Sequence, residues 1–258
     1  MTQPEWPRFD EPPLVESVAA LEFAPIPYFG LSVLSRLHDL WLPQFPVISE
    51  HPTLQPTRPA LQGPGFSFEF GLVPSQTRVW MASPDQQSLI QIQHDRLILN
   101  WRRLDASGTS YPGFESLRNE FIELTGQFIQ VVGEVSPLVT EWSYVNAIDP
   151  TVVVGSSAFA VWNEPVLAEE TTPVLTRFQH VRAFDVVGGS GQLDVVVEPL
   201  GPAETGPVNL SISARCFHNP DTTLTEALSR LDAAHRMARH AFDGVTTPEI
   251  RKHWGEQR

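Results

Sequence analysis

Side chains capable of acid–base or anion chemistry are densest in one run, LIQIQHDRLILNWRR, residues 89–103. There His94 adjoins Asp95, and the return segment carries Asn100, Arg102 and Arg103. A His-Asp dyad needs both side chains within hydrogen-bond reach of each other and of a substrate. These two are consecutive residues between alternating strands, where successive side chains point to opposite faces and Asp serves turns by bonding its own backbone. The pair reads as turn chemistry, not a dyad. What remains is a polar strand face. Gln91 and Gln93 oppose Ile90 and Ile92, while Asn100 and Arg102 oppose Leu97, Leu99 and Trp101. That face is either a solvated outer sheet surface or, with Arg78, a surface that recognises a partner protein or an anionic group. Arg102 and Arg103 point oppositely, so together they form no fork.

WSYVNAID is the second concentration. Trp142, Tyr144 and Asn146 alternate with Glu141, Ser143 and Val145, a row of large amphipathic groups suited to a core, an interface or a pocket wall. His38 and His235 fall inside apolar helical stripes, where a hydrogen-bonded packing role is the ordinary one. If the helices roof a cavity, His235 projects into it and could orient a ligand or act as a base. His235 and His240 are five apart and share no helical face, and no HExxH pattern occurs, so no metal ligands are assigned. The single cysteine, Cys216, excludes an internal disulfide and lies on the apolar side of an alternating strand, a setting that makes a thiol inert. GGSG at 188–191 lacks the Lys-Ser/Thr and helix of a phosphate loop, and GSS at 155–157 does not complete a nucleophile elbow. The sequence therefore names no catalytic residue and no cofactor.

The formal net charge of -13 repels nucleic-acid phosphates and anionic membrane surfaces. The basic residues Arg96, Arg102 and Arg103, and Arg236, Arg239 and His240, are too sparse to reverse that field. No apolar run approaches the ~18 residues of a membrane span. The N-terminus MTQPEWPRFDEPP has no signal-peptide pattern, which predicts a cytoplasmic protein.

Periodicity supplies the elements that must position these residues. Val15, Ala19, Leu21 and Phe23 alternate with Glu16 and Glu22 in a strand. Leu31, Leu34, Leu37, His38 and Trp41 recur at helical spacing between Gly30 and Pro43. Six prolines in residues 43–65 predict an extended strap, neither helix nor central strand. Strands follow at FSFEFGL, TRVWMA, SLIQIQ and LILNWRR. A helix then starts at Tyr111-Pro112 with the stripe Phe114, Leu117, Phe121, Leu124, Phe128 and Val131.

The second half repeats the theme. LVTEWSYVNAI is a strand, residues 152–165 are irregular, and a hairpin turns around GGSG. NLSISARCF is a strand with Leu210, Ile212, Ala214 and Cys216 inward. A long helix begins at the Thr223/Glu226 capping box, carries Leu224, Leu228, Leu231, His235, Ala238 and Phe242, and ends at Gly244. Thr247-Pro248 caps a last short helix ending at Gly255. The expected fold is α+β: a flexible arm (1–12), then a β-α-β(3–4)-α unit (13–136) and its duplicate (137–258), packed as one body. An antiparallel sheet is covered by long helices, a topology like the TATA-binding-protein-like and helix-grip folds.

FDEPPLVESVAALEFAP, RVWMAS with LIQIQHDRLILNWRR, YPGFESLRNEF, WSYVNAID and LDAAHRMARHAFDGVTTPEIRKHWG occur in this order over nearly the whole chain. Together they resemble a sporadically distributed family of uncharacterised prokaryotic proteins, with NWRR and YVN the most telling segments. The resemblance implies a single-polypeptide prokaryotic protein and, from patchy distribution, an accessory, antitoxin-like or defence-associated gene. It brings no activity and no catalytic residue. The expectation is a non-enzymatic interaction module whose partner is another protein, using Gln91, Gln93, Asn100 and Arg102. The alternative is a small-molecule-binding protein or enzyme with a cavity between sheet and long helix, lined by His38, His235, Trp142 and Tyr144. A cavity above ~300 Å³ with convergent polar groups favours the alternative. A filled core with an exposed Trp-Tyr-Arg patch favours the first.

Overall fold

Alternating apolar and polar residues dictate strands over most of the chain, and in the computed structural model nine of them share one antiparallel sheet. The structure describes residues 8–57, 77–104, 110–149, 178–199 and 207–257. In chain order the elements are β1 (Arg8–Phe9), β2 (Leu14–Phe23), α1 (Leu31–Trp41), β3 (Val47–His51), β4 (Arg78–Ala82), β5 (Ser88–Gln93), β6 (Arg96–Arg102) and α2 (Phe114–Val132). They continue with β7 (Pro137–Ile148), β8 (Phe178–Val186), β9 (Gly189–Pro199), β10 (Val208–His218), α3 (Leu224–Ser229), α4 (Leu231–Val245), α5 (Pro248–His253) and β11 (Glu256–Gln257). The sheet order is β3-β4-β5-β6-β2-β7-β10-β9-β8. β2 lies beside β6 and β7 beside β10, and the β2–β7 pair joins the two halves.

Helices cover one face. α2 buries Leu117, Phe121, Leu124 and Phe128 at alternating three- and four-residue spacing. Each such side chain contributes about 1.5–3 kcal/mol when fully buried, which outweighs the poor helix former Gly126 in mid-helix. α3 and α4 lie across β7 and β10. Trp142, Leu210, Ile212 and Cys216 of those strands are fully buried, and Phe23 of β2 is buried against Phe128 of α2.

Several features depart from periodicity alone. A register shift between Leu14 and Glu16 leaves Val15 without a place in the β2–β7 ladder, and Leu14 enters the core. The proline-rich stretch contains β3, which lies at one end of the sheet order where proline neighbours are tolerated. The long second helix breaks at Arg230, whose side chain reaches Gly188 O (3.1 Å) and His218 Nδ1 (2.7 Å). Gly244 lies inside α4, which ends one residue later. Leu31 is 85% exposed, while Val33 and Leu34 of the same turn pack against the core.

The arm is not loose where the structure describes it. β1 pairs with β11, Asp10 N donates to Gly255 O (3.3 Å), and Glu11 N donates to Trp254 O (3.1 Å). Gly255 has φ +70°, and a Cβ there would come within 2.7 Å of the Asp10 carboxylate, so the clasp needs glycine. The expected strand at 66–72, the irregular stretch and the GSS segment lie outside the described residues.

Candidate functional site

The polar hairpin face is not a solvated surface. Gln91, Gln93 and Asn100 are buried and bonded inward, which corrects the outer-surface expectation. Arg78 donates to Gln91 Oε1 (2.9 Å), Gln91 Nε2 to Asn100 Oδ1 (2.8 Å), and Asn100 Nδ2 to Glu16 Oε1 (2.7 Å). Burial raises the Glu16 carboxyl above its ordinary value, and the Asn100 hydrogen bond and the Arg102 charge oppose that rise. Beside this chain, Gln93 exchanges hydrogen bonds with both the N–H and the carbonyl of Leu54 (2.9 and 3.0 Å) and donates to Asp95 (2.6 Å). Arg96 joins Glu22 (3.1 Å) to the Gln55 carbonyl (2.9 Å). Residues 54–57 therefore lie on this face as a strap. Alternation marked these residues as polar, but only the strap contact decides that they are interior. Arg102 is half-buried, donates to Gln86 O (2.8 Å) and holds its guanidinium 5.9 Å from the Trp80 ring.

On the helix face the WSYVNAID row divides. Trp142 is fully buried against Phe114, ring centroids 4.7 Å apart. His235 stacks on the same Phe114 at 3.8 Å and 7°, and its Nδ1 lies 2.8 Å from the Tyr144 hydroxyl. Burial, with the charges of Arg239 and Arg236, pushes the imidazole down to about 3, so it is neutral at neutral pH. Burial also lifts the Tyr144 phenol well above its ordinary range, keeping it protonated. His38 is part-exposed on α1, away from this cluster.

Tyr144 and Asn146 reach further, to the wall of a cleft of about 1070 Å³. One wall is residues 8–14, held by β11. A second is residues 110–113, just before α2. The third is Arg239 and Phe242 of α4, and Arg103 contributes from the end of β6. Tyr111 lies 3.5 Å from Ser17 Oγ through its hydroxyl, and its ring meets Trp101 edge-on at 5.2 Å. Arg103 donates to the Pro12 carbonyl (3.0 Å), tying β6 to the first wall. Asn146 is anchored by its amide to Leu210 O (3.0 Å). Of the eight residues singled out from sequence, Tyr144 and Asn146 face this cleft, His235 backs it through Tyr144, and Trp142 packs beneath. Gln91, Gln93, Asn100 and Arg102 lie elsewhere.

Sequence reasoning missed Tyr111, Phe242, Arg8 and the assembled arginines. Arg103 and Arg239 stand out in the sequence as members of two separate basic groups. Nothing local indicates that one member of each meets the same cleft.

A second cavity of about 750 Å³ touches Glu22, Thr57 and His218. His218 Nε2 lies 2.7 Å from Thr140 Oγ1, and its Nδ1 faces Arg230. Burial and Arg230 push it down to about 4. Both ring nitrogens are thus engaged within the protein. Cys216 is buried and its thiol raised to about 11, as an apolar setting demands. Among the described residues no group of three or more His, Cys, Asp or Glu could hold a metal ion, and no helix is long and apolar enough to cross a membrane. No family model matches the chain, and no curated protein matches it.

Proposed function

We propose that the protein binds a small organic molecule in the cleft between residues 8–14 and α4. The observation that carries this reading is the cleft itself: about 1070 Å³, with Tyr111, Tyr144, Asn146, Arg103 and Arg239 converging on it. Ligand sites are commonly cavities of roughly 300–1,000 Å³ with a few placed polar groups in an apolar frame, and Phe9, Leu14 and Phe242 supply that frame. The hairpin face offered as a docking surface spends its polar groups on itself, which weakens the protein-interaction reading. Tyr144 and Asn146 serve as ligand contacts, and His235 positions Tyr144. The same reading makes the chain a cytoplasmic member of the sporadic prokaryotic family that its NWRR and YVN segments resemble. It also takes the two halves as one duplicated β-α-β-α theme, since each half sets its first strand beside its last.

The test is native mass spectrometry of the protein purified from its own host, paired with equilibrium dialysis against a host metabolite extract. A small mass retained by the native protein and lost on denaturation is expected. Ser110→Trp, which fills the cleft from an exposed rim position, should abolish it. A bare mass with no metabolite enriched would overturn the reading. A second reading keeps a protein partner. It draws on β8, a terminal strand of the sheet order with Gln179–Ala183 exposed, where a partner strand could pair. A co-purifying polypeptide lost on β8 substitution would favour it.

A further inference from the structure

We infer that the ligand of this cleft is an amphipathic organic anion, its acid group held by Arg103 and Arg239 and its apolar body lying against Phe242 and the Phe9–Leu14 wall. The inference rests on the binding role proposed above and adds the ligand's chemical class.

Charge is the first argument. The chain has 17 basic and 30 acidic residues, yet among the described residues that line the cleft three are arginines, Arg8, Arg103 and Arg239, and two are carboxylates, Asp10 and Glu11. The local balance reverses that of the whole chain. Asp10 keeps its charge, but its carboxylate is tied to Gln257 Nε2 at 2.6 Å. A cleft with low-dielectric walls focuses such a field and raises the local concentration of counter-charge.

Position is the second. Arg239 lines the cleft together with Tyr111 and Tyr144, its guanidinium 6.0 Å over the Phe242 ring, and its charge acts on Tyr111, Tyr144, His235 and Asp243. A guanidinium beside phenol hydroxyls is a donor set for carboxylate, sulfonate or phosphate oxygens. Arg103 spends one N–H on Pro12 O, which fixes its head while a guanidinium carries five donors. The third argument is the apolar wall. Phe242 is fixed by Phe9, edge-on at 5.8 Å, and by Trp254, tilted at 5.7 Å, and with Phe9 and Leu14 it gives the cleft a rigid apolar edge that a small inorganic anion would not use.

Two dyes with one apolar skeleton test this directly: anilinonaphthalenesulfonate, an anion, and phenylnaphthylamine, its neutral counterpart. The wild-type protein should bind one sulfonate dye per chain, about tenfold or more tighter than the neutral dye. Arg103→Gln and Arg239→Gln should each remove that preference while leaving neutral-dye binding in place. Arg239→Lys, which keeps the charge, should retain most of it and guards against a folding artefact. Ser110→Trp should abolish both dyes. Equal affinity for the two dyes, unmoved by the arginine variants but lost in Ser110→Trp, would overturn the anion assignment and leave the cleft a binding site. Failure of both dyes to bind, or binding indifferent to Ser110→Trp, would overturn the cleft itself.

Discussion

The hairpin network and the cleft are built from the same residue types, and they lie on opposite faces of one sheet. Each has arginines and side-chain amides, and each has aromatic neighbours. In the network every link ends on another part of the chain: Arg78 on Gln91, Gln91 on Asn100, Asn100 on Glu16, and Gln93 on the Leu54 backbone. In the cleft, Tyr144 is bonded to His235 and Asn146 to Leu210 O, and both still border about 1070 Å³ of space. A buried polar group costs free energy unless it is bonded. A closed network therefore stabilises the fold, and polar groups at a cavity wall are held ready for something else. Composition does not separate the two cases. Connectivity does.

That contrast can be attacked first with acid, which strikes histidines on the helix face at both ends of the core. His218 and His235 are held at about 4 and about 3, below the ordinary 6.5. Between those values the unfolded chain binds more protons than the folded one, so their contribution is complete above about pH 6.5 and is lost as pH falls. Urea unfolding should show stability declining from pH 6.5 toward 4. The raised carboxyls of Glu16 and Glu22 have the opposite slope, so the histidine part is the difference from His218→Asn/His235→Asn. An unchanged slope in that double variant would refute the assignment.

Arg96→Met is the severest single test of the network side. It strips the partner from the Glu22 carboxylate, which is nearly inaccessible, and leaves a buried charge uncompensated, at a cost of about 3–5 kcal/mol. Asn100→Leu should cost about 1–3 kcal/mol by unpairing Gln91 and Glu16. Tyr144→Phe keeps the ring and deletes the hydroxyl that meets His235 and Tyr111, for about 1 kcal/mol in stability, but it should weaken ligand binding as well. Arg103→Gln should cost about 1 kcal/mol through its lost bond to Pro12 O, and for Arg103→Gln and Arg239→Gln alike the larger effect should appear in binding. If the cleft arginines proved as costly as Arg96, the distinction between the two regions would collapse.

Much of the fold was legible because it is periodic. The stripe of α2, the alternation of β10, the His94-Asp95 turn and the Thr223/Glu226 capping box all stand where pattern places them. The β2 bulge, the break at Arg230 and the β1–β11 clasp were not legible, since each depends on contacts far away in sequence. The site suffered most from this limit. Tyr144 and Asn146 were visible as an amphipathic row, and His235 as an outlier in an apolar stripe. Alternation tells which side of a strand a residue takes, but not what lies over that side. So Gln91, Gln93 and Asn100 read as surface when the strap of residues 54–57 makes their side interior, and the cleft's arginines came from segments with no local reason to meet.

The clasp between β1 and β11 makes one wall of the cleft conditional on a distant part of the chain. The first wall of the cleft, residues 8–14, is secured by residues 254–257, and Asp10 and Gln257 are 247 positions apart. β1 and β11 form a two-stranded sheet separate from the nine-stranded one, so the outer wall of the cleft stands only while these two short strands stay paired. A chain that loses this pairing would keep the sheet and core but not the first wall, so on the proposed reading binding depends on two segments that the sheet itself does not hold.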